Sequence, residues 1–235
     1  MWAIGIEFLT GNYVATNIAD RESAEWPPHP MRLLMAMAAA HFETGGDANQ
    51  RRALEWIESL PPPGVFAPDP AHRSVVTTFV PVNDGRGAES MPKVRSRQPR
   101  TFPMMVVGNE PLYYVWEGSV PSELVEPLQE ILCNLSRIGH SSSLVWGWMV
   151  KDHQPAADSR LSEWQIDSEG GFGVPMRRMF VGALAQLESA YNLAAVERHA
   201  ELSQQIATAK GKVKATLKEQ LDHEFCGAAP TSRRP

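Results

Sequence analysis

Hydrophobic and polar residues along this chain follow two rhythms, one with the period of a strand and one with the period of a helix. Ala3 to Phe8 is a short apolar run with a single carboxylate and reads as a first strand, which Gly11 to Ala15 can extend or pair with. From Met31 to Phe42 the chain is apolar nearly all round, the pattern of a buried helix. Pro27, Pro28 and Pro30 mark its start, and Gly45 and Gly46 its end. Ala53, Leu54, Ile57 and Leu60 keep helical spacing and stop at Pro61, Pro62 and Pro63, which gives a second, short helix. Val75 to Val82 is β-branched and aromatic, so it is expected to be a strand, as is Leu112 to Trp116. Leu124, Val125, Leu128, Ile131, Leu132 and Leu135 trace one helical face that opens at Ser122 and Glu123 and closes at Gly139. Ser143 to Val150 is expected to be the last strand of this set.

With the short helix set aside, the order is strand, helix, strand, strand, helix, strand. That order predicts an α+β fold of the ferredoxin-like (RRM-type) βαββαβ kind, with two helices on one face of a four-stranded sheet. Many unrelated proteins use this architecture, so it decides no function. Residues 1–150 are expected to form this domain. A polar stretch after Lys151 marks a boundary, 151–225 reads as a mainly helical C-terminal segment, and 226–235 as a tail or linker. The apolar stripe of that segment (Leu193, Val196, Leu202, Ile206, Val213, Leu217, Leu221) is thin, suited to docking rather than to a core of its own.

Composition narrows the class. At 235 residues with 43% apolar content the chain can build one large domain or two small ones. No run reaches the roughly 18 apolar residues of a membrane span, and the N-terminus lacks the basic region of a signal peptide. Cys133 falls in a helical pattern, where it reads as a small core hydrophobe, and Cys226 is far from it. The expectation is a cytoplasmic protein without structural disulfides. There is no phosphate-cradling glycine loop, metal-ligand spacing or paired acidic motif, so no cofactor and no metal are expected.

Charge adds the sharpest feature. The chain carries a net −5, yet Asp84 to Arg100 holds Arg86, Lys93, Arg95, Arg97 and Arg100 against two acidic residues. It has two glycines, two prolines and few apolar residues, so it must project. It falls between the second and third expected strands, as a basic hairpin thumb at about 83–102. A local cluster of cations on an acidic protein points to polyphosphate, with a solvated loop as the plain alternative. The alternation at 93, 95 and 97 would line three charges along one side of an extended strand.

Three further groups are candidates for nucleic-acid contact. His29 and Arg32 flank the start of the buried helix, where free N–H groups and the helix dipole favour an anion. The plain alternative is a proline-fixed turn and a salt bridge. His140, Ser141 and Ser142 form a polar turn after Gly139; capping or RNA backbone contact is expected there rather than catalysis, because a serine nucleophile needs a histidine oriented by a third group. Arg177 and Arg178 follow a glycine-rich turn and can reach RNA or a neighbouring subunit.

The segments EWPPHPMRLLMAMAAAHFETGG, SRQPRTFP and RIGHSSSLVW together resemble the Csb-two family, the fused Cas-five/Cas-six subunit of type I-U (I-G) CRISPR systems. The resemblance runs through most of residues 1–150 and less closely through GFGVPMRRMFVGALAQLE. Members are about twice this length, so the resemblance is to the Cas-five portion. It implies a non-catalytic ferredoxin-like subunit that holds the 5′ handle of a CRISPR RNA in a Cascade-type complex. The expected partners are that handle, a Cas-seven-type backbone subunit and a large Cas-eight-type subunit, with target DNA met only indirectly and no membrane. In such complexes the hairpin between the second and third strands is a thumb along the handle, the place the basic segment occupies here. The rival readings are a Cas-six-type metal-independent endoribonuclease and a protein scaffold without RNA contact.

Overall fold

The computed structural model describes residues 1–17, 19–20, 22–73, 75–81, 97–152, 160–165, 173–190 and 192–225. Its centre is β1 (Trp2–Phe8), where Trp2, Ile4, Ile6 and Phe8 join the buried cluster and the alternate positions Ala3, Gly5 and Glu7 face away from it. β1 pairs antiparallel with β8 (Leu112–Trp116) on one side and β9 (Val145–Lys151) on the other. β8 pairs in turn with β3 (Gly64–Pro68), and β10 (Leu161–Trp164) adds an outer strand beside β3. The sheet order is β10-β3-β8-β1-β9. Apart from β10, the strands lie in the order fourth, first, third, second, the arrangement of a split βαβ unit.

The helices follow from their caps and faces. α1 (Pro30–Glu43) begins with proline at its first position and buries Leu33, Leu34, Met37 and the run Ala38–Ala40. The carboxylate of Asp47 accepts from the N–H groups of Asn49 (2.7 Å) and Gln50 (3.1 Å) to start α2 (Ala48–Ser59), which buries Ala53, Leu54 and Ile57. α3 (Ser122–Cys133) contains Pro127, which has no N–H to give the carbonyl of Glu123. A proline inside a helix costs about 3 kcal/mol. Burial of Leu124, Leu128, Ile131 and Leu132 returns roughly 1.5–3 kcal/mol each, so the helix persists.

The connection between β3 and β8 is where the expected strand Val75 to Val82 moves. Thr77–Pro81 (β5) is not in the main sheet; it pairs with β6 (Arg97–Thr101) as a separate two-stranded ribbon. The second strand of the sheet is instead Gly64–Pro68, whose bounding glycine and proline hide its strand character. At the ribbon's base, β4 (Ala71–His72) pairs with β7 (Met104–Val106), which also pairs with β2 (Asn12–Val14). β4–β5 and β6–β7 are thus two arms of one long hairpin, sewn to the body through β2.

Cys133 is exposed, not in the core. It lies nine residues after Leu124, which at 100° per residue is half a turn away from the buried face. α3 also ends at Cys133, before the expected stop at Gly139. The packing continues across the expected division at residue 151. β10 returns to the sheet, and Met179, Ala183 and Leu184 join the same core as β1. α4 (Ala183–Ala190) docks on α2 through the buried carboxylate of Glu58, which accepts from the N–H groups of Gly182 (2.7 Å) and Leu184 (2.9 Å). Arg51 and Glu188 pair across the same contact, Nη2 to Oε2 at 2.8 Å. α5 (Leu193–Thr208) and α6 (Gly211–Phe225) form a hairpin in which Leu202 is buried while Leu193 and Val213 stay exposed.

Candidate nucleic-acid interface

Around the start of α1 the chain builds a buried polar network. Glu25, 1% exposed, accepts from Tyr13 Oη (2.8 Å) and from Arg32 through Nε (2.6 Å) and Nη2 (2.9 Å). Burial, followed by the charge of Glu25, raises the Tyr13 hydroxyl well above its ordinary range, so it stays a donor. Tyr114 Oη donates to the Pro28 carbonyl at 2.8 Å and fixes the proline-rich lead from the sheet side. Nδ1 of His29 accepts from the Arg177 N–H (3.3 Å), and the Arg177 carbonyl accepts from the Met31 N–H (3.1 Å). Burial lowers the His29 pKa, which keeps the neutral ring that this acceptor role requires.

These contacts settle how the first helical turn is used. Pro30 has no N–H, that of Met31 bonds to Arg177, and that of Arg32 bonds back to the His29 carbonyl at 2.8 Å. The expectation of free N–H groups open to an anion is therefore not met at Met31 or Arg32. Arg32 is held by Glu25, and His29 is a buried latch for the segment carrying Arg177. The side chains of Arg177 and Arg178 are exposed beside this latch.

The polar turn is built against β2. The His140 N–H donates to the Val14 carbonyl (3.0 Å), and the buried Ser143 hydroxyl accepts from the Val14 N–H (2.8 Å). Gly139 sits at φ +82°, where a Cβ would lie 2.9 Å from the Val14 carbonyl oxygen, so glycine alone fits. His140 Nδ1 lies 2.8 Å from Ser142 Oγ and also accepts from the Ser142 N–H at 3.2 Å, a local turn. Among the described residues no carboxylate bonds this ring, so the third group of a nucleophilic triad is not in place. Ser141 and Ser142 are exposed.

The turn and the hairpin meet. The Phe102 ring, at the foot of β6, packs edge-on to His140 with centroids 5.3 Å apart. In the ribbon Arg97 stands opposite Pro81 and Arg100 opposite Thr78. Three residues apart on a pleated strand, the two arginines leave by opposite faces. Arg100 Nη2 donates to Gln98 Oε1 at 2.8 Å. Arg86, Lys93 and Arg95 lie outside the described residues. On the described part, then, β2 and the hairpin bring Arg97, Arg100, Phe102 and the His140 turn onto one contiguous structure. His29, Arg32 and Arg177 cluster at the start of α1. The sequence missed Phe102, Glu25 and Tyr13; a buried glutamate carries no periodic signal, and Asp20 and Glu22 nearby give Glu25 no distinction.

Among the described residues no group of three or more His, Cys, Asp or Glu is placed to hold a metal ion, and no helix is long and apolar enough to cross a membrane. No curated protein matches the chain. The family model described as CRISPR-associated protein, GSU0054 family, matches residues 2–208, nearly the whole chain, and the chain belongs to that family.

Proposed function

We propose that this CRISPR-associated protein is the RNA-binding subunit that holds the 5′ handle of a CRISPR RNA and caps the backbone filament of a Cascade-type complex. The observation that carries the reading is the long hairpin rooted on β2. It carries the exposed Arg97 and Arg100, and Arg86, Lys93 and Arg95 fall in the sequence that connects β5 to β6. Arginines leaving by both faces suit a strand that lies between two partners, RNA on one side and a Cas-seven-type subunit on the other. At the root, His140, Ser141 and Ser142 offer donors to a phosphate, and the exposed Phe102 offers a ring to an unstacked base. A large Cas-eight-type subunit would sit beside it, and guide pairing rather than this chain would read the target DNA. In this reading Arg177 and Arg178 extend the cationic surface, while His29 and Arg32 hold the scaffold.

The test is anisotropy of a labelled single-stranded RNA carrying the repeat-derived 5′ handle, titrated with the purified chain across a salt series. Replacing Arg97 and Arg100 by Ala should weaken binding and flatten the slope of log K against log salt by about 0.7 per lost phosphate contact. Equal affinity and equal slope in the variant would remove the hairpin from the RNA site. Site-specific cleavage of repeat RNA in EDTA would replace the reading with an endoribonuclease.

A further inference from the structure

Among the described residues α1, α2 and α3 cover one face of the main sheet, and the other face is aromatic, acidic and partly open. Strand alternation places Glu7, Phe66, Tyr113, Trp146, Trp148 and Glu163 on this second face. Trp148 lies flat across β1, because Gly5 has no side chain there; a Cβ on Gly5 would stand 2.5 Å from Trp148 Cε2. Trp146, 54% exposed, sits beside it with ring centroids 5.0 Å apart, and Tyr113 meets Trp148 edge-on at 6.2 Å. Glu7 is directly opposite Trp146 in register. At the other end, a cavity of about 660 Å³ beside Phe66 is bordered by Trp116 and by the carboxylates Glu117 and Glu163. The open-face positions of the five strands and the lining of the cavity include no lysine and no arginine.

Charge decides what can lie here. A nucleic acid needs cations along its backbone, and among the described residues three carboxylates with no lysine or arginine beside them on the face repel phosphate. A guanidinium meets both features: it is planar and stacks on indole, and its fork pairs with a carboxylate. We propose that this second face of the sheet docks an arginine-bearing segment of a protein partner, with a guanidinium stacked on Trp146 or Trp148 and paired with Glu7. A second basic side chain of the same segment enters the cavity toward Glu117 and Glu163. This site is separate from the hairpin and does not depend on the RNA reading.

The test uses the full chain and the peptide acetyl-(Gly-Arg)₃-amide, with its citrulline counterpart as the uncharged isostere. Indole N–H resonances of Trp146 and Trp148 should shift saturably with the arginine peptide and stay fixed with the citrulline peptide. Glu7→Gln, which keeps the shape of the side chain, should raise the Kd about fivefold, the loss of one partly solvated charge pair. Trp146→Ala should raise it further while leaving RNA affinity unchanged. Oligouridylate moving the same resonances would overturn the proposal in favour of a base-stacking platform. Self-association abolished by Trp146→Ala would assign the face to a second copy of this chain, and no response to the arginine peptide would leave the face without this ligand.

Discussion

Glu25→Gln is the most informative single change in the scaffold that positions the candidate interface. The amide keeps the size of the carboxyl and can still accept from Tyr13 Oη, but it sets an NH2 donor where Oε2 accepted from Arg32 Nη2, so the variant removes the charge and one acceptor together. It leaves Arg32 facing a neutral partner, with Nε 2.6 Å and Nη2 2.9 Å from the former carboxylate oxygens. Removing one member of a buried pair costs about 3–5 kcal/mol. Arg32 keeps 21% of its side chain in solvent, which lowers the expectation to about 2–3 kcal/mol. For a chain of this size each kcal/mol is worth roughly 2–4 °C, so the midpoint should fall by about 4–12 °C. Urea denaturation of wild type, Glu25→Gln, Arg32→Gln and the double variant closes a mutant cycle, and the coupling should be about 2 kcal/mol. A single-variant loss below about 0.5 kcal/mol, or near-zero coupling, would refute the view that this pair locks the proline-rich lead to α1.

Other changes probe separate parts of the account. The pKa of His29 is lowered by burial, so its stabilising share is complete above the ordinary value of 6.5 and is lost as pH falls toward its folded pKa; His29→Asn should flatten that acid-side decline in stability, and an unchanged pH profile would show that the ring does not titrate with folding. Gly139→Ala should cost about 2 kcal/mol or more in a urea melt, from the left-handed φ and the Val14 carbonyl in the path of the new Cβ; a cost under 0.5 kcal/mol would mean the turn is not clamped to β2. Glu58→Ala should cost about 1–2 kcal/mol and raise amide exchange in α4, whose first N–H groups it caps; unchanged exchange would show that α4 is held by its apolar contacts alone.

Much of the fold was legible because its signals are local. α1, α2 and α3 were set by proline, glycine and apolar spacing, and β1, β8 and β9 by short apolar runs. Several strands were not legible in place, β3 among them, whose glycine and proline read as breakers. TTFVP has strand propensity, but propensity does not say which partner a strand finds, and β5 found β6 rather than the main sheet. β10 (LSEW) is four residues within a polar stretch and gains its identity only from β3. At the interface, the sequence singled out Arg97, Arg100 and the His140 turn, while Phe102 joined them only once the chain folded. Arg32 drew notice as a cation at a helix start, but its partner lies seven residues upstream and is visible only in the packed network.

In the proposed function the hairpin and its root grip the 5′ handle. Photocrosslinking of the assembled CRISPR ribonucleoprotein, followed by mass spectrometry of the RNA-linked peptides, tests it directly. Adducts are expected at residues 84–102 and in the turn at residues 139–142, joined to nucleotides of the 5′ handle. Adducts confined to the 3′ end of the guide, or a chain that joins the complex with no adduct in either stretch, would contradict it.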